Sequence, residues 1–353
     1  MSVTFSAPLM DAKHFPPSLI KAQPVFQLSA RRLRHNNLPV SDVSTFSKAR
    51  YALAAAAIFL KYANQQNTVL LPAYHCPALV EPFIYAGYNI VFYPQSNDLS
   101  SDLAVFESFL SSDVTHVVVV RYFGFSQNAE LLMNTAFNAG KKVIEDNAHS
   151  LSHFWRTCTE KSEFINASVS SVSKTLGTVD GGVLYLPGFK ANLQKPDFIA
   201  ELKSLVSGFR PVKTGNEPAD SFRYFQPAMV KEDCLRSSRL LLTQSNYEAI
   251  GKKRRENYQY LAEKLLDSSA GKVIYPELAD DDMPYVLPFL LNDLTWFSKL
   301  RMRQIQVLRW EELASVQNKM LENFRGLLVQ LPCHQNLKYK DLEKIASVLV
   351  RNE

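Results

Sequence analysis

The sequence predicts an α/β protein: a three-layer αβα large domain on a mostly parallel sheet, followed by a smaller α+β C-terminal domain. Three observations carry this. Between residues 68 and 186, short apolar and β-branched runs alternate with helix-length segments, the pattern of strands joined by crossover helices. Those runs are apolar throughout rather than at every second position, as in strands covered on both faces. The chain has 353 residues, beyond the roughly 250–300 at which a single core stops growing, and its pattern turns mainly helical after residue 190.

Taken in order, residues 1–40 contain Pro8, Pro16, Pro17, Pro24 and Pro39, which break any long element. They predict an extended arm laid over the rest of the chain. The large domain is expected to span 41–245 and the small one 246–353. Residues 47–64, SKARYALAAAAIFLKYAN, are the clearest helix: alanine is the best helix former, and a segment apolar nearly all round belongs in the interior. Ser44 or Ser47 is expected to cap it. Lys48 and Arg50 at its start run against the helix dipole, which favours anions there. They read either as solvated charges or as part of an anion site. Strands follow at 68–71, 89–93, 115–120 and 142–145, with helices at 77–86, 102–111 and 128–139 between them. A short strand over 168–173 leads to Lys174, and another covers 183–186 after Gly181-Gly182. Periodic stretches within 229–266 predict a long helix bridging to the small domain, where strands at 272–275 and 286–291 mix with helices at 295–304 and 340–351.

Composition excludes several classes of function. Hydrophobic residues make up 46% and charged residues 21%, ordinary for a globular protein with a full core. The net charge of +5 is spread out. The dense basic runs, Arg31-Arg32-Leu33-Arg34-His35 and Lys252-Lys253-Arg254-Arg255, have no interleaved aromatics, so no nucleic-acid partner is expected. Cys76, Cys158, Cys234 and Cys333 are far apart and form no Cys-x-x-Cys pair, which argues against a metal site or a disulfide framework. The start, MSVTFSAPLMDAKHF, lacks the basic and apolar regions of a signal peptide. No apolar run approaches the ~18 residues of a membrane span. The expected compartment is the cytoplasm, with reduced thiols.

The chemistry gathers in residues 143–182. Ligands of open α/β sheets sit at the carboxyl ends of the strands. Here those ends are 72–76, 121–124 and 146–149, expected to converge with the helix start at 48–51. Taken alone, Asp146 reads as a helix cap and Lys174 as a surface charge. Brought together at strand ends, with Gly181-Gly182 just beyond, they suggest one cofactor. A buried carboxylate can keep the ring nitrogen of pyridoxal 5'-phosphate (PLP) protonated, while a lysine amine forms a Schiff base with its aldehyde.

The segments VIEDNAHSL, SKTLGTVDGG, RYFGF and KARYAL resemble the DegT/DnrJ-type sugar-nucleotide aminotransferases, PLP enzymes of the aspartate-aminotransferase fold (fold type I). LLPAYHCPALV, RYFGFSQ, EDNAHSL, SKTLGTVDGG and RRENY are similar to a branch associated with bacterial polysaccharide biosynthesis. The resemblance spans about residues 44–266 and runs more loosely to LPCHQNL. It implies that Asp146 pairs with the pyridine nitrogen and that His149 lies beside the ring's 3-hydroxyl. Lys174 would carry the Schiff base and move the proton between substrate and cofactor. Ser171 is the implied phosphate contact, ahead of Ser173 and Ser170. Ala49, Arg50 and Tyr51 match the phosphate-binding helix start, and Asp180-Gly181-Gly182 the turn after the lysine. An aromatic residue over the ring is expected near Cys76, with Tyr74 and His75 as candidates.

Some positions depart from the family. Lys48-Ala49-Arg50 stands where Ser-Gly-Thr is common. Arg121 replaces a histidine and reads either as an anion contact or as a salt-bridged strand end. A partner-subunit asparagine has no clear counterpart, although Arg223 and Tyr224 lie in about the right region. The resemblance implies an amino-acid donor such as glutamate, a nucleotide-linked keto-sugar acceptor and a homodimer with the site at its interface. Lys174 argues against the family's dehydratases, which have histidine there. Another fold-type-I enzyme acting on an amino acid, or a non-catalytic binding protein of the same fold, remains an alternative.

Overall fold

Strands made of consecutive valines need cover on both sides, and this chain provides it. The computed structural model describes residues 3–9, 14–25, 42–207, 222–314 and 319–350; the basic run 31–35 lies outside them. Among the described residues the elements of the first half run β1 (Val43–Phe46), α1 (Ala49–Leu60), β2 (Thr68–Pro72), α2 (Pro77–Tyr85), β3 (Asn89–Tyr93), α3 (Leu103–Ser108), β4 (His116–Val120), α4 (Ala129–Asn138), β5 (Lys142–Asn147), α5 (Leu151–Glu160), β6 (Ala167–Ser171), α6 (Val172–Leu176) and β7 (Gly182–Tyr185). Then come α7 (Phe198–Ser207), α8 (Arg236–Gln244), α9 (Tyr247–Lys264), β8 (Gly271–Val273), β9 (Val286–Leu291), α10 (Thr295–Met302), α11 (Lys319–Leu327), β10 (Leu328–Pro332) and α12 (Tyr339–Val350).

Seven strands form one sheet in the order β1-β7-β6-β5-β4-β2-β3. From β3 to β6 neighbours are parallel, whereas β7 runs antiparallel to both β6 and β1. Alternate side chains of a strand point to opposite faces. In β4, Val118 and Val120 join the core beneath α1 and α2, while Val117 and Val119 join the core that includes Met133 of α4. α1 fits closely because Ala52, Ala54, Ala56 and Ala57 have no exposed surface; small side chains let it lie against α2, β6 and β7. A second, antiparallel sheet is ordered β10-β9-β8.

The described N-terminal residues run along the C-terminal part of the chain. Ile20 bridges Ile305 in parallel, and the Ser6 N–H donates to the Leu313 carbonyl at 2.8 Å.

Several boundaries differ from expectation. Ser44 lies within β1, and neither it nor Ser47 caps α1; the N-cap is Lys48, with no side-chain cap bond. The strand expected over 168–173 ends at Ser171, so Lys174 stands on the short helix α6. The long helix expected within 229–266 is two helices, parted at Ser245-Asn246, where the Asn246 side chain caps α9 by accepting from the Ala249 N–H at 3.1 Å. β1, α5, α7, α11 and β10 are additional elements.

Candidate active site

At the carboxyl ends of β2, β5 and β6 the chain encloses a cavity of about 250 Å³, with Lys48, Arg50, Asp146, Ser171, Ser173 and Lys174 in its lining. A second cavity of about 260 Å³ adjoins it through Gln23, Arg50, Cys76, Ala78 and Lys174, and reaches His149, Tyr285 and Trp310.

Strand parity aims Asp146 here. Ile144 belongs to the core beneath α1, and two residues on, Asp146 shares its face. The chain then turns, with the Ala148 N–H donating to Asp146 Oδ1 at 2.8 Å. Burial pushes the Asp146 carboxyl up, against the pull of that N–H and of Lys174. Glu145 faces the other way and is fully buried. It accepts from Arg121 Nε at 2.7 Å, Thr157 Oγ1 at 2.7 Å and Ser168 Oγ at 2.9 Å. Arg121 is therefore a salt-bridged strand end and not a cavity group.

Lys174 is fixed through its helix. The Val172 N–H at the start of α6 donates to the Gly181 carbonyl at 3.0 Å, and α6 ends on the left-handed Gly177. Its last carbonyls are covered by the buried Arg254, which donates to the carbonyls of Lys174 at 3.3 Å and Thr175 at 3.2 Å, and by Gln335, which donates to Thr175 at 2.8 Å. The turn after the lysine locks this helix to α1. The Gly181 N–H donates to the Ser47 carbonyl at 2.8 Å, and a Cβ on Gly182 would stand 2.3 Å from the Ala49 nitrogen. Asp180 accepts from the Leu235 N–H and from Ser238 Oγ at 2.6 Å, which starts α8. The paired glycines are thus a place of backbone contact rather than a two-residue hairpin.

Inside the cavity, burial lowers the Lys174 amine; Asp146 opposes that shift and Arg50 adds to it. His149 Nε2 lies 3.1 Å from Lys174 Nζ. Its ring is parallel to Tyr285, with centroids 4.7 Å apart, and burial and Lys174 hold it well below the ordinary histidine range. Lys48 Nζ donates to the Val179 carbonyl at 3.0 Å, and Arg50 donates to the Tyr224 carbonyl.

Three of the residues singled out from sequence lie elsewhere. Tyr51 is buried edge-on against Phe225, with centroids 5.3 Å apart. Tyr74 is fully buried against Trp310 at 4.9 Å. His75 accepts from the Ala314 N–H at 3.0 Å, contacts the Pro72 carbonyl at 3.1 Å and stacks on Phe92. The residue of that loop which does line both cavities is Cys76. Gln23, Tyr285 and Trp310 carry no sequence signal. Arg254 lies within RRENY, a segment similar to the family to which no role was attached.

Solved structures share this architecture. Helicobacter pylori PseC, an aminotransferase of pseudoaminic acid biosynthesis, is 18% identical with a TM-score of 0.66, over 95% of this chain and 97% of that one. The chain has the fold of the sugar aminotransferases. A DegT DnrJ EryC1 StrS aminotransferase from Brucella abortus is 17% identical with a TM-score of 0.61, over 87% and 84% of the two chains. NtdA from Bacillus subtilis, solved with bound cofactor PMP, is 15% identical with a TM-score of 0.62, over 87% and 72%. No family model matches the sequence, and no curated protein matches it either.

Proposed function

We propose that this chain is a PLP-dependent aminotransferase that moves an amino group from an amino acid, glutamate, to a keto group on a nucleotide-linked sugar, in surface-polysaccharide or related amino-sugar synthesis. The observation that carries the reading is one cavity holding a buried carboxylate, a half-buried lysine and two further cations.

That lining fits a phosphorylated pyridine aldehyde. Lys48, Arg50, Ser171 and Ser173 are cations and hydroxyls suited to a phosphate, and α1 starts without a side-chain cap, leaving its first turn suited to an anion. Asp146 suits a ring N–H. Its pKa is raised by burial, so it gains from a cation placed against it. Bound PLP supplies an electron-withdrawing ring that stabilises charge on the substrate carbon. Lys174 would take and return the proton at that carbon, and burial, by lowering its basicity, favours the neutral amine that this step needs. His149 and Tyr285 would wall the adjoining cavity, where the sugar fits. The proposed acting unit is a homodimer with the site at its interface, its cofactor held by a large domain over 41–245 and closed by a small domain over 246–353.

The test incubates the full-length chain with PLP, reduces with borohydride and maps the modified peptide. It then follows glutamate-dependent amination of a nucleotide-linked keto-sugar. PLP is expected on Lys174, and Lys174→Ala is expected to lower turnover by about 10³-fold. A rate retained in Lys174→Ala, or no PLP fixed at Lys174, overturns the reading.

A further inference from the structure

Phe123 adopts φ +57° and ψ 16° in the turn after β4. Such left-handed placement of a bulky residue is disfavoured. Gly124 beside it has φ +93°, and a Cβ there would lie 2.2 Å from the Met283 carbonyl oxygen. Together the two residues press the turn against the segment before β9, where the Tyr285 N–H donates to the Phe123 carbonyl at 2.7 Å. They also aim the Phe123 N–H at Nδ1 of His149, 3.3 Å away.

A backbone N–H can only donate, so Nδ1 is an acceptor and a neutral ring carries its proton on Nε2. Nε2 faces Lys174 Nζ. An N–H in that place can donate only to an amine with a free lone pair; an ammonium would oppose donor to donor. The imidazole is held against turning over by Tyr285 on one side, at an interplanar angle of 3°, and by stacking with Phe123 at 5.4 Å.

We propose that Phe123 is a positioning residue: its left-handed backbone fixes His149 as the Nε2–H tautomer, and His149 stores Lys174 as a neutral amine ready for a carbonyl ligand. The use of that amine rests on the aminotransferase reading; the tautomer itself does not. Among the described residues, the charged or titratable groups around the amine include Asp146 on β5, Lys48 and Arg50 at the start of α1, Cys76 ahead of α2, Tyr285 ahead of β9, Arg254 of α9 on the lysine's own carbonyl, and, across the adjoining cavity, Tyr224, Arg309, Glu311 and Glu312. Burial and Arg50 disfavour the ammonium while Cys76 and Asp146 favour it, and the hydrogen bond from His149 adds to the neutral side.

The test uses the full-length chain, freed of carbonyl cofactors with hydroxylamine and dialysed, with ¹⁵N-labelled histidine. Long-range ¹H–¹⁵N spectra at neutral pH, assigned with His149→Phe, read which ring nitrogen bears the proton. A pyridine-type Nδ1 and a pyrrole-type Nε2 are expected at His149. A ring protonated on Nδ1, or an imidazolium, overturns the proposal. The amine is read separately, by trace acetic anhydride labelling across pH with peptide mass spectrometry. Gly124→Ala displaces the turn, and His149→Phe keeps a stacked ring without an N–H. Each is expected to raise the apparent pKa of Lys174 by about one unit, a tenfold smaller neutral fraction at neutral pH. Phe123→Gly keeps both the N–H and the φ, and the wild-type nitrogen pattern is expected to persist; its loss, or a lysine titration unchanged in His149→Phe, sinks the idea. Should Gly124→Ala fail to fold, the wild-type spectra still decide. None of these readouts needs PLP, so their failure leaves the aminotransferase reading standing, and absence of PLP binding leaves them interpretable.

Discussion

Arg254 is 1% exposed, yet the oxygens it donates to are neutral: Gln335 Oε1 at 2.9 Å and the carbonyls of Pro284, Tyr285, Lys174 and Thr175. Burial lowers its pKa, so this cation is held by a planar fork of hydrogen bonds rather than by charge. Arg254→Met would leave several buried oxygens without donors and is expected to cost about 3–5 kcal/mol in urea unfolding. Arg254→Lys should recover little of this, because one ammonium cannot reach carbonyls spread around a guanidinium. A loss below about 1 kcal/mol for both would show that the cradle is dispensable. At this scale Asp146 and Lys174 were legible because an acid ending a β-branched run and a lysine before paired glycines are visible in the string. The choice among Tyr74, His75 and Cys76 was not. After Pro72 the chain leaves the sheet, and the rotation of an irregular loop decides which of three successive side chains meets the cavity. Sequence spacing carries no information on that rotation.

Among the elements, α6 shows how much rests on a turn. Its lysine is oriented by a helix of five residues, too short to be stable by itself, so the neighbouring backbones hold it. Gly182→Ala would push a Cβ into the backbone of Lys48 and Ala49. It is expected to cost about 2 kcal/mol and to weaken PLP binding at least tenfold in an equilibrium titration. Gly188→Ala is the control: φ is +78° but the space is open, so only backbone strain of about 1 kcal/mol and unchanged PLP affinity are expected. Equal PLP affinities in the two variants would refute the clamp. Elements with clear punctuation were readable, such as the helices ended by Gly87 and Gly140. The junction of α11 and β10 was not, since the helix stops at Leu327 and the strand starts at Leu328 with no breaker between. α5, LSHFWRTCTE, is rich in poor helix formers and is helical because Leu151, Phe154 and Cys158 pack in the core. The split between α8 and α9 had one small signal, the capping Asn246, inside a longer periodic run.

For the molecule as a whole, buried histidines set the acid limit. Burial lowers His75 and His116 to about 4 and His153 to about 3, and holds His149 well below the ordinary histidine range. A depressed native pKa means that the unfolded chain binds protons first. The stability these rings contribute is complete above about pH 6.5 and is lost as pH falls towards 4, by up to about 1.4 kcal/mol per pH unit for each ring. Asp146, Glu81 and Asp282, pushed up by burial, work in the opposite direction, as pH falls from their raised values towards the ordinary carboxylate range. Urea midpoints should therefore drop steeply between pH 6.5 and about pH 5, less so in His116→Gln; a flat profile would contradict this account. The three-layer architecture was legible because strands buried on both faces write uninterrupted apolar runs. The path of the N-terminal residues was not, since a proline-rich segment records only that it is extended and leaves its docking partner unstated.

That path has a consequence for synthesis. Residues 19 and 20 bond to Gln304 and Gln306, and Gln23, which donates to the Tyr285 hydroxyl at 2.9 Å, lines both cavities. The strands of the large sheet all precede residue 186, so that sheet can assemble while translation continues. Residues 19–23 cannot make these contacts until residues 285–306 have emerged. Throughout that interval the lysine-bearing crevice lacks the part of its wall that Gln23 supplies.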